Sequence, residues 1–168
     1  KTLGIVGIGK IGREVIQRCK SFQMNMLGYD PFLTQDMLNK DEVTLVDLDT
    51  LTRDSDFITL HLPINDKTRN LFDLNRLKIM KTTAIIINVA RGGIINENDL
   101  VTALNEDVIG GAALDVYDIE PLNPKHPLTE AKNVILTPHL GASTQEAKEG
   151  VSIAVCESVR DYLKDKKL

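Results

Sequence analysis

The chain of 168 residues lacks tryptophan, has only 4% aromatic residues and carries two cysteines, Cys19 and Cys156. Two cysteines so far apart in the sequence exclude a disulfide-dense secreted fold. Both lie in apolar helical patterns, so we expect buried, reduced thiols and a cytoplasmic protein. No apolar run approaches the roughly 20 residues that cross a bilayer. An ordinary apolar core must therefore hold this fold together.

Positive charge is also scarce, since 20 Lys and Arg stand against 24 Asp and Glu, a net charge of −4. This balance gives no electrostatic reason to expect a nucleic acid or an anionic membrane as a partner, and we expect no metal site. The length and the 42% hydrophobic content predict one globular domain over residues 1–168. Because a core strand begins directly at the first residues, we expect the chain to be part of a longer protein.

A glycine-rich turn near the start of the chain is the strongest motif. The apolar run 3–6 predicts a buried strand, Gly7-x-Gly9-x-x-Gly12 follows, and a helical pattern begins at once. Gly7 suits a tight turn, Gly9 lets a pyrophosphate approach the backbone, and Gly12 lets helix and strand pack closely. The free N–H groups of the helix start would bind the phosphates. This order of strand, turn and helix predicts a dinucleotide site.

An acidic residue at the end of the second predicted strand completes this motif. Asp30 lies 18 positions after Gly12, near the offset of about 20 expected for the acid that binds ribose hydroxyls. Its charge would repel a 2′-phosphate, and Pro31 and Phe32 follow it where an arginine would favour NADP. The pattern therefore favours NAD, although an acid before a proline turn is the plainer alternative.

Predicted strands alternate with predicted helices along the whole chain. This alternation indicates an α/β fold with a doubly wound parallel sheet of the Rossmann type, and with ligands at the carboxyl ends of the strands. A capping box at 143–146 opens the last predicted helix. The predicted strands are 3–6, 24–30, 43–46, 56–61, 83–89, 109–116 and 133–137, and the predicted helices begin near residues 11, 48, 73, 97 and 143.

Five polar residues fall where this fold would place a ligand. His61, Arg91, Asp115, Glu120 and His139 each end or follow a predicted strand. A guanidinium can hold a carboxylate through two hydrogen bonds, and a histidine can transfer a proton near neutral pH. A carboxylate beside such a histidine orients it and favours its charged form.

Plainer roles stay open for each of these residues. Arg91 could form a surface ion pair, Glu120 could be solvated in its proline-rich loop, and His139 could bond to a turn backbone. Asp115 could cap a turn. We expect His61 to be a wall of the cofactor pocket and His126, between Lys and Pro, to lie on the surface.

Six motifs follow one another along nearly the whole chain. They are 4–12 (GIVGIGKIG), 28–31 (GYDP), 61–63 (HLP) with Thr68 downstream, 88–93 (NVARGG), 113–116 (ALDV) with Glu120-Pro121, and 138–144 (PHLGAST). Together they resemble the nucleotide-binding domain of the D-isomer-specific 2-hydroxyacid dehydrogenases. The resemblance implies an NAD-dependent oxidoreductase that acts on a small-molecule substrate and forms a homodimer through this domain.

The resemblance also implies roles for individual residues. Arg91 would bind the substrate carboxylate, His139 would take the hydroxyl proton during oxidation, and Glu120 would pair with His139. Asp30 would hold the adenosine ribose, and Asp115 the nicotinamide carboxamide. The residues implied to contact NAD are Gly7, Gly9, Lys10, Ile11, Gly12, Asp30, Pro31, His61, Leu62, Pro63, Thr68, Val89, Ala90, Arg91, Asp115, His139 and Gly141.

The run 141–144 is most similar to members that oxidise 3-phosphoglycerate to 3-phosphohydroxypyruvate in serine biosynthesis. Glycerate, hydroxypyruvate or lactate as substrate, formate dehydrogenase chemistry, and an NAD-sensing corepressor of the same fold stay open. In the family a second domain, absent from this sequence, grips the substrate. We therefore expect the chain alone to bind NAD but to turn over a 2-hydroxy acid poorly or not at all, because half of the cleft that excludes water is missing.

Overall fold

The computed structural model describes residues 1–38 and 42–165. Part of the polar stretch 34–42, for which the sequence predicts weak helix, and the terminal lysines at 166 and 167 lie outside the described residues. The chain divides into two compact units, residues 1–138 and 139–168, which are described separately. Within the described ranges, no helix is both long and apolar enough to span a membrane.

The first unit is built on a sheet of seven parallel strands, which confirms the predicted doubly wound fold. The strand order is β3-β2-β1-β4-β5-β6-β7, so the chain reverses its direction of winding between β1 and β4. Ligands bind such sheets at the carboxyl ends of the strands beside this reversal. The strands are β1 (Thr2–Val6), β2 (Asn25–Tyr29), β3 (Thr44–Leu45), β4 (Phe57–Leu60), β5 (Ile85–Asn88), β6 (Gly111–Leu114) and β7 (Val134–Leu136).

Four helices connect these strands: α1 (Lys10–Cys19), α2 (Leu48–Asp54), α3 (Leu74–Leu77) and α4 (Glu97–Asn105). Short side chains cap three of them, because Asp47, Asp73 and Asn96 each accept a hydrogen bond from a backbone N–H three residues later. Short 3-10 segments lie at Lys20–Phe22, Gln35–Met37 and Pro127–Glu130. The sequence predicts a helix from residue 73 to residue 80. Helix α3 ends earlier, at Leu77, because the N–H groups of residues 79 and 80 bond three residues back, in the tighter 3-10 pattern.

The apolar core lies on both faces of the sheet. Ile5 and Val6 are fully buried neighbours on β1, and they belong to different clusters because successive strand residues point to opposite faces. Ile16 of α1 packs in the cluster of Ile5, whereas Leu51 of α2 and Leu104 of α4 pack in the cluster of Val6. The sheet therefore carries helices on both faces and leaves its carboxyl edge for ligands.

The second unit contains α5 (Gln145–Asp165). Thr144 caps it by accepting the Ala147 N–H at 3.1 Å, so the cap lies one residue later than the predicted box at 143–146. The apolar side chains of α5 are exposed in this chain, with Val151 59% and Val155 57% exposed. The expectation of two buried thiols is wrong, because Cys156 on this helix is exposed, while Cys19 of α1 is half-buried.

Candidate functional site

The glycine turn between β1 and α1 has the geometry that its three glycines predict. Gly7 has φ of +94°, a conformation that a side chain would strain. A Cβ at Gly12 would overlap the carbonyl oxygen of Gly7, so only glycine allows this close approach of helix and turn. A Cβ at Gly9 would meet nothing within 4 Å. The space in front of Gly9 is therefore open to a ligand.

The start of α1 has the features of an anion-binding site. Gly9 is its N-cap and provides no side-chain cap, and the first turn contains no acidic residue. Gly9, Lys10 and Ile11 are exposed at this end. The first N–H groups of a helix have no partner inside the helix, and the helix dipole favours a negative charge there. The open turn and the uncapped helix start thus fit the pyrophosphate of a dinucleotide.

Asp30 follows β2 and is held by two backbone groups. One carboxylate oxygen accepts the Ile8 N–H at 2.9 Å, and the other accepts the Phe32 N–H at 3.0 Å. Each oxygen keeps a second lone pair that can accept from a ribose hydroxyl. The carboxylate therefore lies beside the glycine turn in a fixed orientation that fits a ribose diol, and the sequence does not predict its bond to Ile8.

A cleft of about 400 Å³ continues from this turn along the carboxyl ends of β4 and β5. Burial lowers the pKa of His61 and so favours the neutral ring, whose Nε2 lies 3.0 Å from the Thr59 hydroxyl. The Thr68 hydroxyl donates to the Pro63 carbonyl at 2.7 Å and fixes the loop after β4. The cleft is lined by Ile11, His61, Leu62, Pro63, Ile64, Val89, Ala90 and Arg91, seven of them residues singled out from the sequence.

Arg91 lies in a turn that a buried amide holds. Asn88, only 2% exposed at the end of β5, donates from Nδ2 to the Arg91 carbonyl at 2.9 Å and accepts the Ala90 N–H at 3.1 Å. The exposed Arg91 side chain donates from Nη1 to the Ala90 carbonyl at 2.6 Å. Its other N–H groups could bind a carboxylate through two parallel hydrogen bonds. The sequence signal for Asn88 is an amide inside an otherwise apolar run.

Asp115 and Tyr117 follow β6 and are both buried. The Thr137 hydroxyl donates to Asp115 Oδ1 at 2.5 Å, and the Tyr117 hydroxyl donates to the Thr137 carbonyl at 2.8 Å. Burial, together with the Asp115 charge, raises the pKa of Tyr117, which therefore stays protonated. These bonds tie the ends of β6 and β7 together at the carboxyl edge.

Glu120 stands in the loop after Tyr117 and accepts the Tyr117 N–H at 3.0 Å. This loop lies directly against the Arg91 turn, because a Cβ at Gly92 would overlap the Tyr117 carbonyl. The fold thus brings the turn of Arg91 and the loop of Glu120 together, as their positions after β5 and β6 predict.

His139 and Gly141 belong to the second unit. His139 has φ of +57°, a left-handed conformation that is uncommon for a side chain of this size and is often found at functional positions. Both residues are exposed, and both make polar or electrostatic interactions.

His126 is only partly exposed, whereas the sequence predicts a surface residue. It is half-buried, its Nδ1 accepts the Leu128 N–H at 3.3 Å, and its Nε2 lies 3.4 Å from the Glu97 carboxylate. Glu97 was not singled out from the sequence either, because one acid at a helix start has no special pattern. Across the described part of the chain, no three His, Cys, Asp or Glu side chains are grouped so as to hold a metal ion.

Comparison with known proteins agrees with this geometry. Residues 1–141 match the family model of the D-isomer specific 2-hydroxyacid dehydrogenase, NAD binding domain. The chain is 53% identical over 163 residues to a D-3-phosphoglycerate dehydrogenase of Synechocystis, covering 97% of this chain and 29% of that protein. It is 40% identical over 166 residues to a glyoxylate reductase of Aeropyrum pernix, covering 99% of this chain and 50% of that protein.

A solved structure is similar over nearly the whole chain as well. The NAD-dependent formate dehydrogenase of Staphylococcus aureus in complex with NAD superposes with a TM-score of 0.89 at 33% identity, covering 97% of this chain and 48% of that one. The chain thus spans half or less of each of these relatives. It belongs to the D-isomer specific 2-hydroxyacid dehydrogenase family, of which it is an NAD-binding domain.

Proposed function

We propose that the protein carrying this chain is an NAD-dependent dehydrogenase that oxidises D-3-phosphoglycerate to 3-phosphohydroxypyruvate in serine biosynthesis. The observation that carries the proposal is the contact between the Arg91 turn and the Glu120 loop at the carboxyl edge of the sheet, beside the cofactor cleft. The 53% identity to a D-3-phosphoglycerate dehydrogenase supports the choice of substrate.

The cofactor would lie along the residues that the sequence singles out. Its pyrophosphate would rest on Gly9, Lys10 and Ile11, its adenosine ribose on Asp30 and Pro31, and its carboxamide at Asp115. When bound, NAD supplies the hydride acceptor of the reaction. The remaining contacts are proposed for Gly7, Gly12, His61, Leu62, Pro63, Thr68, Val89, Ala90, Arg91, His139 and Gly141.

The chain's own residues would do the rest of the chemistry. Arg91 would hold the substrate carboxylate by two parallel hydrogen bonds, which fixes the carbon that loses the hydride. His139 would accept the hydroxyl proton at an imidazole nitrogen as the alcohol becomes a ketone. The Glu120 carboxylate would stabilise the imidazolium that forms.

A second substrate is favoured by a specific observation. Glyoxylate reductases are 40% identical to the chain over almost its whole length, so the same residues would also suit reduction of a short 2-oxo acid. Glycerate and lactate are 2-hydroxy acids and hydroxypyruvate is a 2-oxo acid, so all three suit the same interconversion. Formate dehydrogenase chemistry and a corepressor-type binding protein are the outcomes left if no hydroxy acid reacts.

The same proposal includes a homodimer formed through this domain and a cytoplasmic location. Two free cysteines support the location, because thiols persist in a reducing compartment. No nucleic acid or membrane partner is proposed for a chain of net charge −4.

Substrate profiling of the protein that carries this chain tests the proposal. NAD-dependent oxidation of D-3-phosphoglycerate, D-glycerate, glycolate and D-lactate is followed as formation of NADH. We expect the highest kcat/KM for 3-phosphoglycerate, and His139→Asn should lower kcat by about 10²–10⁴, the usual contribution of acid–base catalysis. Arg91→Lys, which keeps the charge but loses the fork, should mainly raise KM.

Two results would redirect the proposal. A higher kcat/KM for glycolate would make the protein a glyoxylate reductase. Saturable NADH binding without oxidation of any 2-hydroxy acid would overturn the hydroxy-acid dehydrogenase and leave formate dehydrogenase chemistry or the binding protein as alternatives.

A further inference from the structure

We propose that Glu97 is a positioning residue that holds the Glu120 loop in place against the Arg91 turn. The inference rests on the proposed function, since it concerns how two residues of that function are kept together. Glu97 is the first residue of α4, which begins a few residues after Arg91. It therefore belongs to the segment of Arg91, whereas its hydrogen bond reaches the segment of Glu120.

The Glu97 carboxylate joins the two segments directly. Its Oε1 accepts the Asp118 N–H at 2.7 Å, and its side chain is only 14% exposed. A carboxylate that accepts a backbone N–H forms one of the stronger hydrogen bonds, and partial burial strengthens it further. Its position at the start of α4 is favourable too, because the helix dipole stabilises a negative charge there.

His126 lies beside the other oxygen of Glu97. Its Nε2 lies 3.4 Å from Glu97 Oε2, while its Nδ1 accepts the Leu128 N–H. Since Nδ1 is the acceptor, Nε2 carries the proton and faces the carboxylate. The carboxylate thus has the Asp118 N–H at one oxygen and the His126 ring near the other.

Asp118, whose N–H bonds to Glu97, directly follows Tyr117, whose N–H bonds to Glu120. Arg69 adds a more exposed contact, donating to the Asp118 carboxylate at 3.0 Å. The Tyr117 carbonyl already lies against Gly92, so it cannot move closer to the Arg91 turn. Loss of the Glu97 bond would therefore let the Glu120 loop move away from that turn. This movement would weaken the Tyr117–Glu120 bond.

The chain offers a matched control on the same helix. Asp99 is also in the first turn of α4, and its Oδ2 accepts a backbone N–H, that of Leu74, at 3.0 Å. Glu97→Ala and Asp99→Ala therefore remove the same charge and the same kind of bond. Only Glu97 bonds to the Glu120 loop. A difference between the two variants at this loop would therefore reflect the lost bond to Asp118 and not a general loss of stability.

The test compares amide hydrogen exchange and the carboxyl ¹³C resonance of Glu120 in this chain by NMR. In Glu97→Ala we expect exchange of the Tyr117 amide to rise about tenfold or more over wild type, with a shifted Glu120 resonance, as loss of a local hydrogen bond predicts. Asp99→Ala should leave both unchanged. Glu97→Gln, whose amide oxygen can still accept the Asp118 N–H, should restore most of the protection.

Equal effects of Glu97→Ala and Asp99→Ala on Tyr117 and Glu120 would overturn the inference. If Glu97→Ala does not fold, Glu97→Asp serves instead, because it keeps the charge but is one methylene too short to reach Asp118. NADH titration of the same samples separates the two proposals. Failure of wild type to bind NADH counts against the proposed function, whereas identical loop behaviour in both alanine variants counts against the role of Glu97.

Discussion

At the scale of single residues, the glycines of the first turn have distinct tasks although they share one motif. Gly12 is glycine because the backbone of the turn passes too close for any Cβ. Gly9 has open space around it, so the fold by itself does not require glycine there. The sequence predicts both roles from spacing, and the structure shows that packing requires glycine at Gly12 but not at Gly9.

Substitution of these two glycines should therefore separate stability from binding. Gly9→Ala should lower the free energy of unfolding by less than about 1 kcal/mol, since its extended backbone tolerates alanine, but weaken NADH binding at least about tenfold. Gly12→Ala should cost about 1–3 kcal/mol by overpacking. Urea denaturation and calorimetry measure the two quantities. Unchanged NADH affinity in Gly9→Ala would place the phosphates elsewhere.

Asp56 accepts a hydrogen bond from the first strand, and its charge should make the stability of the fold depend on pH. The Thr2 N–H, at 2.8 Å, is the main reason that its pKa is lowered from 3.8 to about 2, and Lys1 and Lys81 contribute. Because the folded pKa lies below the unfolded one, this carboxylate stabilises the fold above pH 3.8, and that contribution is lost as the pH falls through about 2.

Asp56→Asn should thus have a lower free energy of unfolding than wild type at pH 6. This difference in free energy should shrink between about pH 4 and pH 2. Urea titrations at several pH values measure it. Asp54→Asn, which changes an exposed acid at the end of α2, is the control and should track wild type. A gap that stays constant down to pH 2 would mean that the charge of Asp56 does not contribute.

At the scale of elements, periodicity and capping residues predict most of the helices and strands. The continuous apolar run of β5 and the amphipathic run of α4 appear within one or two residues of expectation. The predictions fail at two helices. Helix α3 is shorter than predicted because 3-10 hydrogen bonds end it early. The apolar side chains of α5 are exposed, although the sequence pattern predicts a buried stripe. Those outcomes depend on contacts between distant residues, which a local pattern does not contain.

Helix α4 offers a clean test of capping, because two asparagines stand two residues apart at its start. Asn96 accepts the Asp99 N–H at 3.1 Å, whereas Asn98 is exposed inside the helix. Asn96→Ala should lower the free energy of unfolding by about 1 kcal/mol, or roughly 2–4 °C in Tm. Asn98→Ala should be neutral or slightly stabilising, since alanine has the higher helix propensity. Equal changes in the free energy of unfolding for the two variants would mean that the Asn96 cap does not stabilise α4.

At the scale of the whole molecule, the order of the motifs predicts both the sheet and the edge on which the site lies. The links within the site were not predictable in the same way. The bond from Ile8 to Asp30, the amide of Asn88 under Arg91 and the carboxylate of Glu97 under the Glu120 loop all join segments far apart in sequence or hidden in ordinary patterns. Spacing predicts which groups would meet a ligand, whereas packing decides which other groups hold them in place.

The proposed dimer is a property of the molecule as a whole. Light scattering of this chain should give twice the 18.6 kDa of one chain. The resemblance to the family is the reason for this expectation, and dilution should shift the mass only at low concentration by mass action. A mass of one chain at the highest attainable concentration would contradict association through this domain.

Calorimetric titration of the chain with NADH and, separately, with NADPH tests most directly whether this domain binds NAD and selects it over NADP. We predict saturable binding of NADH and at least about tenfold weaker binding of NADPH, because the Asp30 carboxylate accepts from a ribose diol but repels a 2′-phosphate. Asp30→Asn should reduce this preference while keeping an oxygen for the Ile8 N–H. Equal affinity for both cofactors, or no NADH binding by a chain that melts cooperatively, would contradict the account.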